Sequence, residues 1–285
     1  MEIKTIGVVG SGSMGSGIAF IAAQNNFNVK VYWRREVTRD ECIATINWNR
    51  DKGVKKGAMT QEESDSLMSR IEFINTYEGF ANCDLVIESI VEIEDVKIEL
   101  FRKLDQILAK DAIIATNTSS FSITSLANAT MRQDKFVGTH FFYPVPVMKL
   151  VEIVRGYHTS DETIARMQDF VKRINKTSVL VQRDSPGFLV NRLMIIQFRE
   201  AIKLLEEGVA SVEDIDTALE LGLNHRMGPF TLMDATGVDI ADYVMSSFHM
   251  QLGEDFRPPQ LLKRMARAGM NGMKSGRGWY DYPRK

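Results

Sequence analysis

The chain has 285 residues with 35 basic and 37 acidic side chains, a formal net charge of −2, and is 44% hydrophobic and 25% charged. This composition is typical of a globular protein; it excludes a disordered chain and the cationic surface that nucleic-acid binding requires. Only two cysteines are present and no apolar run is long enough for a membrane span, so we expect a cytoplasmic protein without membrane or nucleic-acid partners.

Strand-like and helix-like stretches alternate through the first part of the sequence. Helical segments between most of the strands are typical of a mainly parallel α/β sheet. After SPGF the strand signal ends, and helices are predicted at 189–207 and 212–221. We therefore expect an α/β domain of residues 1–184 and a smaller, all-helical domain of residues 185–285. Apolar and β-branched runs predict strands at 3–9, 29–33, 85–88, 113–116, 136–142 and 150–154.

The first predicted strand leads into a glycine-rich turn, GVVGSGSMGSG. Gly10, Gly12 and Gly15 form a G-x-G-x-x-G motif that opens a predicted helix, and a second strand is predicted from Val29. Without side chains, these positions allow a tight turn, close approach of the backbone to a pyrophosphate, and packing of the helix on the strand. An ordinary glycine turn is the alternative, but in this context the motif predicts a Rossmann-type dinucleotide-binding domain.

The second predicted strand ends in VYWRRE, where a dinucleotide-binding fold usually has an acidic residue that binds the adenosine ribose. Trp33 takes that place, and an indole cannot accept hydrogen bonds from both ribose hydroxyls. Arg34 and Arg35 are suited to bind a 2′-phosphate, although two arginines after a strand also fit a solvated loop, and Glu36 is close enough to swing back. The sequence favours NADP without excluding NAD.

The segment IATNTSSFSI places polar residues where a predicted strand ends. Taken alone, the Asn-Thr-Ser-Ser run would be a helix cap. In a dinucleotide-binding fold, however, ligands lie at the carboxyl ends of strands, so these amide and hydroxyl groups are also candidates for orienting a nicotinamide and a substrate oxygen.

The segment GTHFFYPVPVMKLVEIVRG contains a histidine and a carboxylate that a chain reversal could bring together. His140 lies near the end of one predicted strand, and Glu152 lies in the next, beyond the turn-forming Pro144 and Pro146. A carboxylate beside an imidazole fixes its tautomer and stabilises the protonated ring, as a general acid–base requires. The alternative is a histidine that belongs to the core.

Seven motifs, in this order, resemble those of the short-chain 3-hydroxyacyl-CoA dehydrogenase family: GSGSMGSGIA, ESIVE, ATNTSS, GTHFFYPVPVMKLVEIVRG, SPGFLVNRL, MGPFTLMDATGVD and KSGRGWYDY. The motifs are most similar to those of bacterial 3-hydroxybutyryl-CoA dehydrogenases of butyrate metabolism. The resemblance implies a Rossmann-type domain followed by a helical domain that forms a homodimer. It also implies an enzyme that interconverts acetoacetyl-CoA and 3-hydroxybutyryl-CoA with NAD or NADP.

The resemblance implies roles for individual positions. His140 matches the catalytic histidine and Glu152 its carboxylate partner, while Ser119 and Asn191 match residues that contact the substrate. The basic segment RDKGVKKG, residues 50–57, suits the phosphates of coenzyme A or simply faces solvent. No metal site is expected. With the residues singled out above, the candidate cofactor positions are Gly10, Gly12, Gly15, Trp33, Arg34, Glu92, Lys97, Asn117 and Lys274, and the candidate coenzyme A positions are Lys52, Lys56 and Ser119.

Among the positions that depart from the family pattern, two keep other functions open. Tyr143 replaces the usual asparagine after HFF, and Trp33 replaces the ribose-binding aspartate. These changes favour a crystallin-like or sensory protein that has lost its activity, whereas the intact His140 and Glu152 argue against it. A β-hydroxyacid dehydrogenase acting on a free acid is a second alternative, but that family relies on a lysine in the helical domain, where FLVNRL has Asn191.

Overall fold

The computed structural model of the chain describes residues 2–282. The chain forms two compact units that divide between Phe188 and Leu189. This division lies a few residues beyond Asp184, the boundary expected from the sequence. The first unit is an α/β domain and the second is helical, which confirms the predicted fold class.

The strands of the first unit are β1 (Thr5–Val9), β2 (Asn28–Tyr32), β3 (Ile71–Ile74), β4 (Leu85–Glu88), β5 (Ile113–Thr116), β6 (Phe136–Phe141), β7 (Leu150–Val154) and β8 (Thr177–Val181). Its helices are α1 (Ser13–Gln24), α2 (Glu36–Lys55), α3 (Gln61–Ser69), α4 (Glu94–Ile107), α5 (Ile123–Ala127) and α6 (Asp161–Arg173), with short 3₁₀ turns at Tyr77–Phe80 and Gln133–Lys135. Each strand predicted from the sequence is present, with small differences at the ends.

The strands form one eight-stranded sheet of order β3-β2-β1-β4-β5-β6-β7-β8. All neighbours are parallel except β6 and β7, which pair antiparallel. Reversal of direction at this one place puts the end of β6 opposite the interior of β7. In the resulting register His140 lies directly opposite Glu152.

Buried residues form a separate apolar core on each face of the sheet. Side chains of a strand point alternately to its two faces, so one strand contributes to both cores. Val8 packs in the core that contains Ile18 of α1 and Phe170 of α6. Val9 packs in the core that contains Leu104 of α4 and Leu126 of α5. Covered on both faces, the sheet is a rigid support for side chains at its strand ends.

The second unit contains α7 (Val190–Glu206), α8 (Val212–Leu223), α9 (Pro229–Thr236), α10 (Val238–Leu252) and α11 (Gln260–Arg267), with a 3₁₀ turn at Glu254–Phe256. Ser211 caps α8, because its hydroxyl accepts a hydrogen bond of 3.0 Å from the Asp214 backbone N–H. The helices enclose their own core, in which Phe198, Phe230 and Leu262 are buried.

A buried carboxylate fixes the last described segment of the helical unit. Asp234 is 1% exposed. It accepts hydrogen bonds of 3.0 Å from the backbone N–H groups of Trp279 and Tyr280 and from the Tyr282 hydroxyl. Gly278 allows this approach, since a Cβ at this position would lie 2.0 Å from the Asp234 Oδ1 atom.

Replacing Asp234 with alanine is expected to lower the free energy of unfolding by about 3 kcal/mol or more. Each of the donors left without an acceptor costs about 1–3 kcal/mol when buried. Urea unfolding followed by circular dichroism measures the change. The matched control is Asp255→Ala, at an exposed position of the same unit. Equal unfolding midpoints for the two variants would contradict a stabilising role for this network.

The described residues offer neither a membrane span nor a metal cluster. No helix within residues 2–282 is both long enough and apolar enough to cross a membrane. The same part of the chain contains no cluster of three or more His, Cys, Asp or Glu side chains arranged to hold a metal ion. Cys42 and Cys83 are buried free thiols.

Candidate active site

The glycine-rich loop between β1 and α1 is shaped by close backbone contacts. Gly10 has a φ of +124°, and a Cβ there would lie 2.2 Å from the Ser89 carbonyl oxygen. A Cβ on Gly15 would lie 1.9 Å from the Gly10 carbonyl oxygen, whereas one on Gly12 would meet no heavy atom within 4 Å. The outer glycines therefore allow the loop to pack, and Gly12 leaves open space beside the helix N-terminus, as a dinucleotide pyrophosphate requires.

These contacts separate two effects of adding a methyl group to the loop. Gly15→Ala is expected to destabilise the fold by about 1–3 kcal/mol, because the methyl group overlaps a backbone oxygen, and to abolish NADH binding. Gly12→Ala, the matched control, should weaken NADH binding while leaving the unfolding temperature unchanged. Calorimetric titration with NADH and thermal unfolding test both expectations. An unchanged unfolding temperature and unchanged NADH affinity for Gly15→Ala would contradict the packing role.

The end of β2 presents cations and an aromatic ring. Trp33 is half-buried, and the Arg39 guanidinium carbon lies 5.1 Å from its ring centroid. Arg34 and Arg35 are exposed, and neither forms an ion pair with any residue in the range 2–282. The place of the usual ribose-binding acid thus holds an indole covered on one face, with two uncommitted guanidinium groups beside it.

The antiparallel pairing of β6 and β7 brings His140 and Glu152 into direct contact. The His140 Nδ1 atom lies 2.6 Å from Glu152 Oε2. His140 is 6% exposed and Glu152 is fully buried, with Phe142 and Phe188 rings near the imidazole. Because a carboxylate accepts hydrogen bonds, Nδ1 carries the proton and Nε2 is the nitrogen left for acid–base chemistry.

Asn117 connects the end of β5 to the strand that carries the histidine. Its backbone N–H donates to the Glu88 carbonyl oxygen at 2.8 Å. Its side-chain oxygen accepts a hydrogen bond of 2.9 Å from the backbone N–H of Phe141, the residue after His140. Because the oxygen faces Phe141, the amide N–H₂ group is the part of Asn117 that remains for a ligand.

The loop after β5 is hydrogen-bonded to Glu92. One carboxylate oxygen, Oε1, accepts from the Ser119 backbone N–H at 3.2 Å, from the Ser120 hydroxyl at 2.8 Å, and from the Thr118 hydroxyl. The other oxygen, Oε2, lies 3.1 Å from Lys97 Nζ. Burial opposes the charge, but Lys97 and the two hydroxyls outweigh it and lower the pKa of Glu92 below its usual value.

Lys97 is held by a second carboxylate, which the sequence reasoning did not single out. Lys97 is 1% exposed, and its Nζ lies 2.5 Å from Oε1 of the fully buried Glu88. Oε1 of Glu88 also accepts from the Ile90 N–H at 2.7 Å, and Oε2 from the Thr116 hydroxyl at 2.6 Å. A carboxylate ending the apolar run LVIE was the available signal, since a buried charge needs a partner.

The basic positions near the end of α2 lie close to an aromatic groove. Lys52 Nζ is 4.3 Å from the ring centroid of Trp48, and Lys56 directly follows the helix. A cavity of about 420 Å³ is lined by Trp48, by Tyr143 and by residues of α1. Both aromatic side chains are largely exposed. The groove therefore combines ring faces with an ammonium group, which suits an organic ligand that carries phosphates.

Two predicted site residues belong to the helical unit. Asn191 is the second residue of α7 and is half-buried. Lys274 forms an ion pair in which its Nζ lies 2.6 Å from Asp239 Oδ1. Within its own unit, the Lys274 charge is therefore already matched by a carboxylate.

Both parts of the chain match models of one family. Residues 5–185 match 3-hydroxyacyl-CoA dehydrogenase, NAD binding domain, and residues 187–282 match 3-hydroxyacyl-CoA dehydrogenase, C-terminal domain. A probable 3-hydroxybutyryl-CoA dehydrogenase of Deinococcus radiodurans is 44% identical over 277 residues, which cover 97% of this chain and 99% of that protein. The 3-hydroxybutyryl-CoA dehydrogenase of Bradyrhizobium diazoefficiens is 43% identical over 284 residues, which cover 98% of this chain and 96% of that protein.

A solved structure agrees with these matches. The crystal structure of (S)-3-hydroxybutyryl-CoA dehydrogenase from Ralstonia eutropha is similar at a TM-score of 0.96 and 40% sequence identity, covering 99% of this chain and 100% of that chain. The resemblance predicted from the sequence motifs is thereby confirmed. This chain belongs to the 3-hydroxyacyl-CoA dehydrogenase family, with an NAD-binding domain followed by a helical C-terminal domain.

Proposed function

We propose that this protein is a short-chain 3-hydroxyacyl-CoA dehydrogenase that interconverts acetoacetyl-CoA and 3-hydroxybutyryl-CoA. The observation that carries the proposal is the buried hydrogen bond of 2.6 Å between His140 and Glu152, within an NAD-binding domain. The names of the relatives support the same substrate. A free-acid dehydrogenase and an inactive nucleotide-binding protein are both less consistent with this pair and with the family.

The acid–base step follows from the orientation of the imidazole. When bound, the nicotinamide cofactor supplies the hydride for reduction of the 3-keto group and accepts it in the reverse direction. During reduction His140 donates a proton from Nε2 to the 3-keto oxygen, and during oxidation Nε2 takes the proton from the 3-hydroxyl. Glu152 keeps Nδ1 protonated and stabilises the imidazolium, so one ring nitrogen is always aimed at the substrate.

Other side chains bind and orient the ligands in this proposal. Ser119 and Asn191 donate hydrogen bonds to the reacting oxygen of the substrate. Lys52 and Lys56 pair with phosphates of coenzyme A. The residues that hold the cofactor in this proposal are Gly10, Gly12, Gly15, Trp33, Arg34 and Asn117. Glu92, Lys97 and Lys274 lie at the edge of the cofactor site.

Initial rates test the proposed substrate. Reduction of acetoacetyl-CoA is followed at a single wavelength by loss of reduced-nicotinamide absorbance, and free acetoacetate at the same concentration is the comparison. The proposal expects turnover of the thioester and little of the free acid, because Lys52 and Lys56 have phosphates to bind only in the thioester. Turnover of both at equal rates would favour the free-acid enzyme, and nucleotide binding without turnover would favour the inactive protein.

For the cofactor, we propose that Arg34 and Arg35 extend use of the NAD-binding domain to NADP. Two exposed guanidinium groups without carboxylate partners in residues 2–282, next to a position without an acid, support binding of a 2′-phosphate.

Replacing both arginines with alanine should then lower kcat/KM for NADPH by about tenfold or more, because each hydrogen bond to a charged group contributes about 1.5–3 kcal/mol. The value for NADH should stay within about twofold, which makes NADH the internal control. A wild-type preference for NADH, or equal losses with both nucleotides, would contradict the proposal and indicate that Trp33 and its neighbours bind an ordinary ribose.

We also propose a homodimer formed through the helical unit, in the cytoplasm and without membrane or nucleic-acid partners, with a place in butyrate or fatty acid metabolism. Ile240, Tyr243 and Met250 are exposed on α10 at spacings that align them on one helix face, which supports a contact with a second copy. Free buried thiols support a reducing compartment. Light scattering after size exclusion would give the mass of two chains.

A further inference from the structure

Ser119 has a fixed backbone and an uncommitted hydroxyl. Its backbone N–H is bonded to Glu92, and the hydroxyls on either side, from Thr118 and Ser120, converge on the same carboxylate oxygen. By contrast, no hydrogen bond within residues 2–282 uses the Ser119 hydroxyl, and the side chain is exposed. The loop is therefore held at its backbone and flanks, while the group that would contact substrate remains available.

Glu92 is itself held in place. Its second oxygen contacts Lys97, whose ammonium is almost inaccessible to solvent and also contacts the buried Glu88. Glu88 in turn binds the Thr116 hydroxyl at the end of β5. Contacts therefore run from the ends of two central strands through Lys97 to Glu92, and Glu92 cannot swing away without leaving a buried ammonium short of a partner.

These contacts argue against a direct contact between Lys97 and the cofactor. An ammonium group has three N–H donors, and the Lys97 ammonium already contacts the carboxylates of Glu88 and Glu92. Burial leaves little of it open to a ligand. Its effect on the reaction passes through Glu92, and the effect of Glu92 passes through the loop.

We propose that Glu92 is a positioning residue that orders the loop of residues 118–120 and thereby aims the Ser119 hydroxyl at the reacting oxygen. This inference rests on the proposed function, in which Ser119 contacts the substrate. Thr118 and Ser120 act as the two flanking attachment points, and Lys97 holds the carboxylate in the orientation that reaches all three loop residues.

A double-mutant cycle tests the proposal. Glu92→Gln is expected to lower kcat for acetoacetyl-CoA about tenfold or more, since hydrogen bonds to a charged acceptor are replaced by bonds to a neutral one. In a Ser119→Ala background the same substitution should change kcat by less than about twofold, because the group it positions is gone. Equal losses in both backgrounds would overturn the proposal and assign Glu92 a general structural role.

Hydrogen exchange provides a readout that does not need activity. Amide exchange in the peptide containing residues 117–121 should be faster in Glu92→Gln than in wild type. The control is Glu99→Gln on the same helix, which breaks only the exposed Glu99–Lys103 pair of 2.7 Å and should match wild type in exchange and kcat. Unchanged exchange in Glu92→Gln would overturn the proposal. If wild-type protein does not reduce acetoacetyl-CoA, the proposed function fails, and the exchange result alone decides whether Glu92 orders the loop.

Discussion

Replacing His140 with glutamine is expected to lower kcat for acetoacetyl-CoA reduction by about 10²- to 10⁴-fold, the range that a positioned general acid–base contributes. Glutamine removes the nitrogen that exchanges a proton with the substrate but keeps an N–H₂ donor of similar reach. That donor can bind Glu152, whose carboxylate lies 2.6 Å from the histidine in the wild type. The buried carboxylate therefore keeps a hydrogen-bond donor at this position, and the fold should change little.

The measurement for this variant separates chemistry from binding. NADH affinity by titration and the unfolding temperature should stay close to wild type, while single-turnover rates fall. His158→Gln is the matched control, because His158 is an exposed histidine of the same unit and should retain wild-type kcat. Near-normal turnover in His140→Gln would remove His140 from the mechanism.

The sequence predicts the central part of the fold because its signals there are local. Apolar runs bounded by polar turns locate the inner strands, and the G-x-G-x-x-G spacing predicts the tight turn between β1 and α1. Two edge strands were missed. β3 and β8 are only partly buried, whereas β4 and β5 are buried throughout. At a sheet edge the strand conformation depends more on the neighbouring strand than on a continuous apolar run.

The candidate site shows the same division between local and non-local information. Pairing of His140 with Glu152 was predictable, because a proline-containing turn between two strands suggests an antiparallel return. The contact between Glu92 and the loop after β5 was not. Thr118 lies 26 residues beyond Glu92 in the sequence, and the two side chains meet because β4 and β5 are neighbours in the sheet. Cofactor choice is also beyond the sequence, because exposed arginines adopt many conformations.

Replacing Glu152 with glutamine isolates what the charge of the carboxylate does. An amide oxygen still accepts the hydrogen bond from His140 Nδ1, so the orientation and tautomer of the imidazole are retained. What is lost is the negative charge beside the imidazolium that forms when the ring is protonated. Because Glu152 is fully buried, that charge acts with little screening by water.

We therefore expect Glu152→Gln to lower kcat by about 10²-fold or more, with KM for acetoacetyl-CoA changed far less. Glu162→Gln, at an exposed position of the first unit, is the matched control and should behave as wild type. Wild-type kcat in Glu152→Gln would show that orientation alone is required of this residue. The double variant with His140→Gln distinguishes the pair from two independent groups: if Glu152 acts only through the imidazole, adding its substitution should not lower kcat beyond the loss caused by His140→Gln.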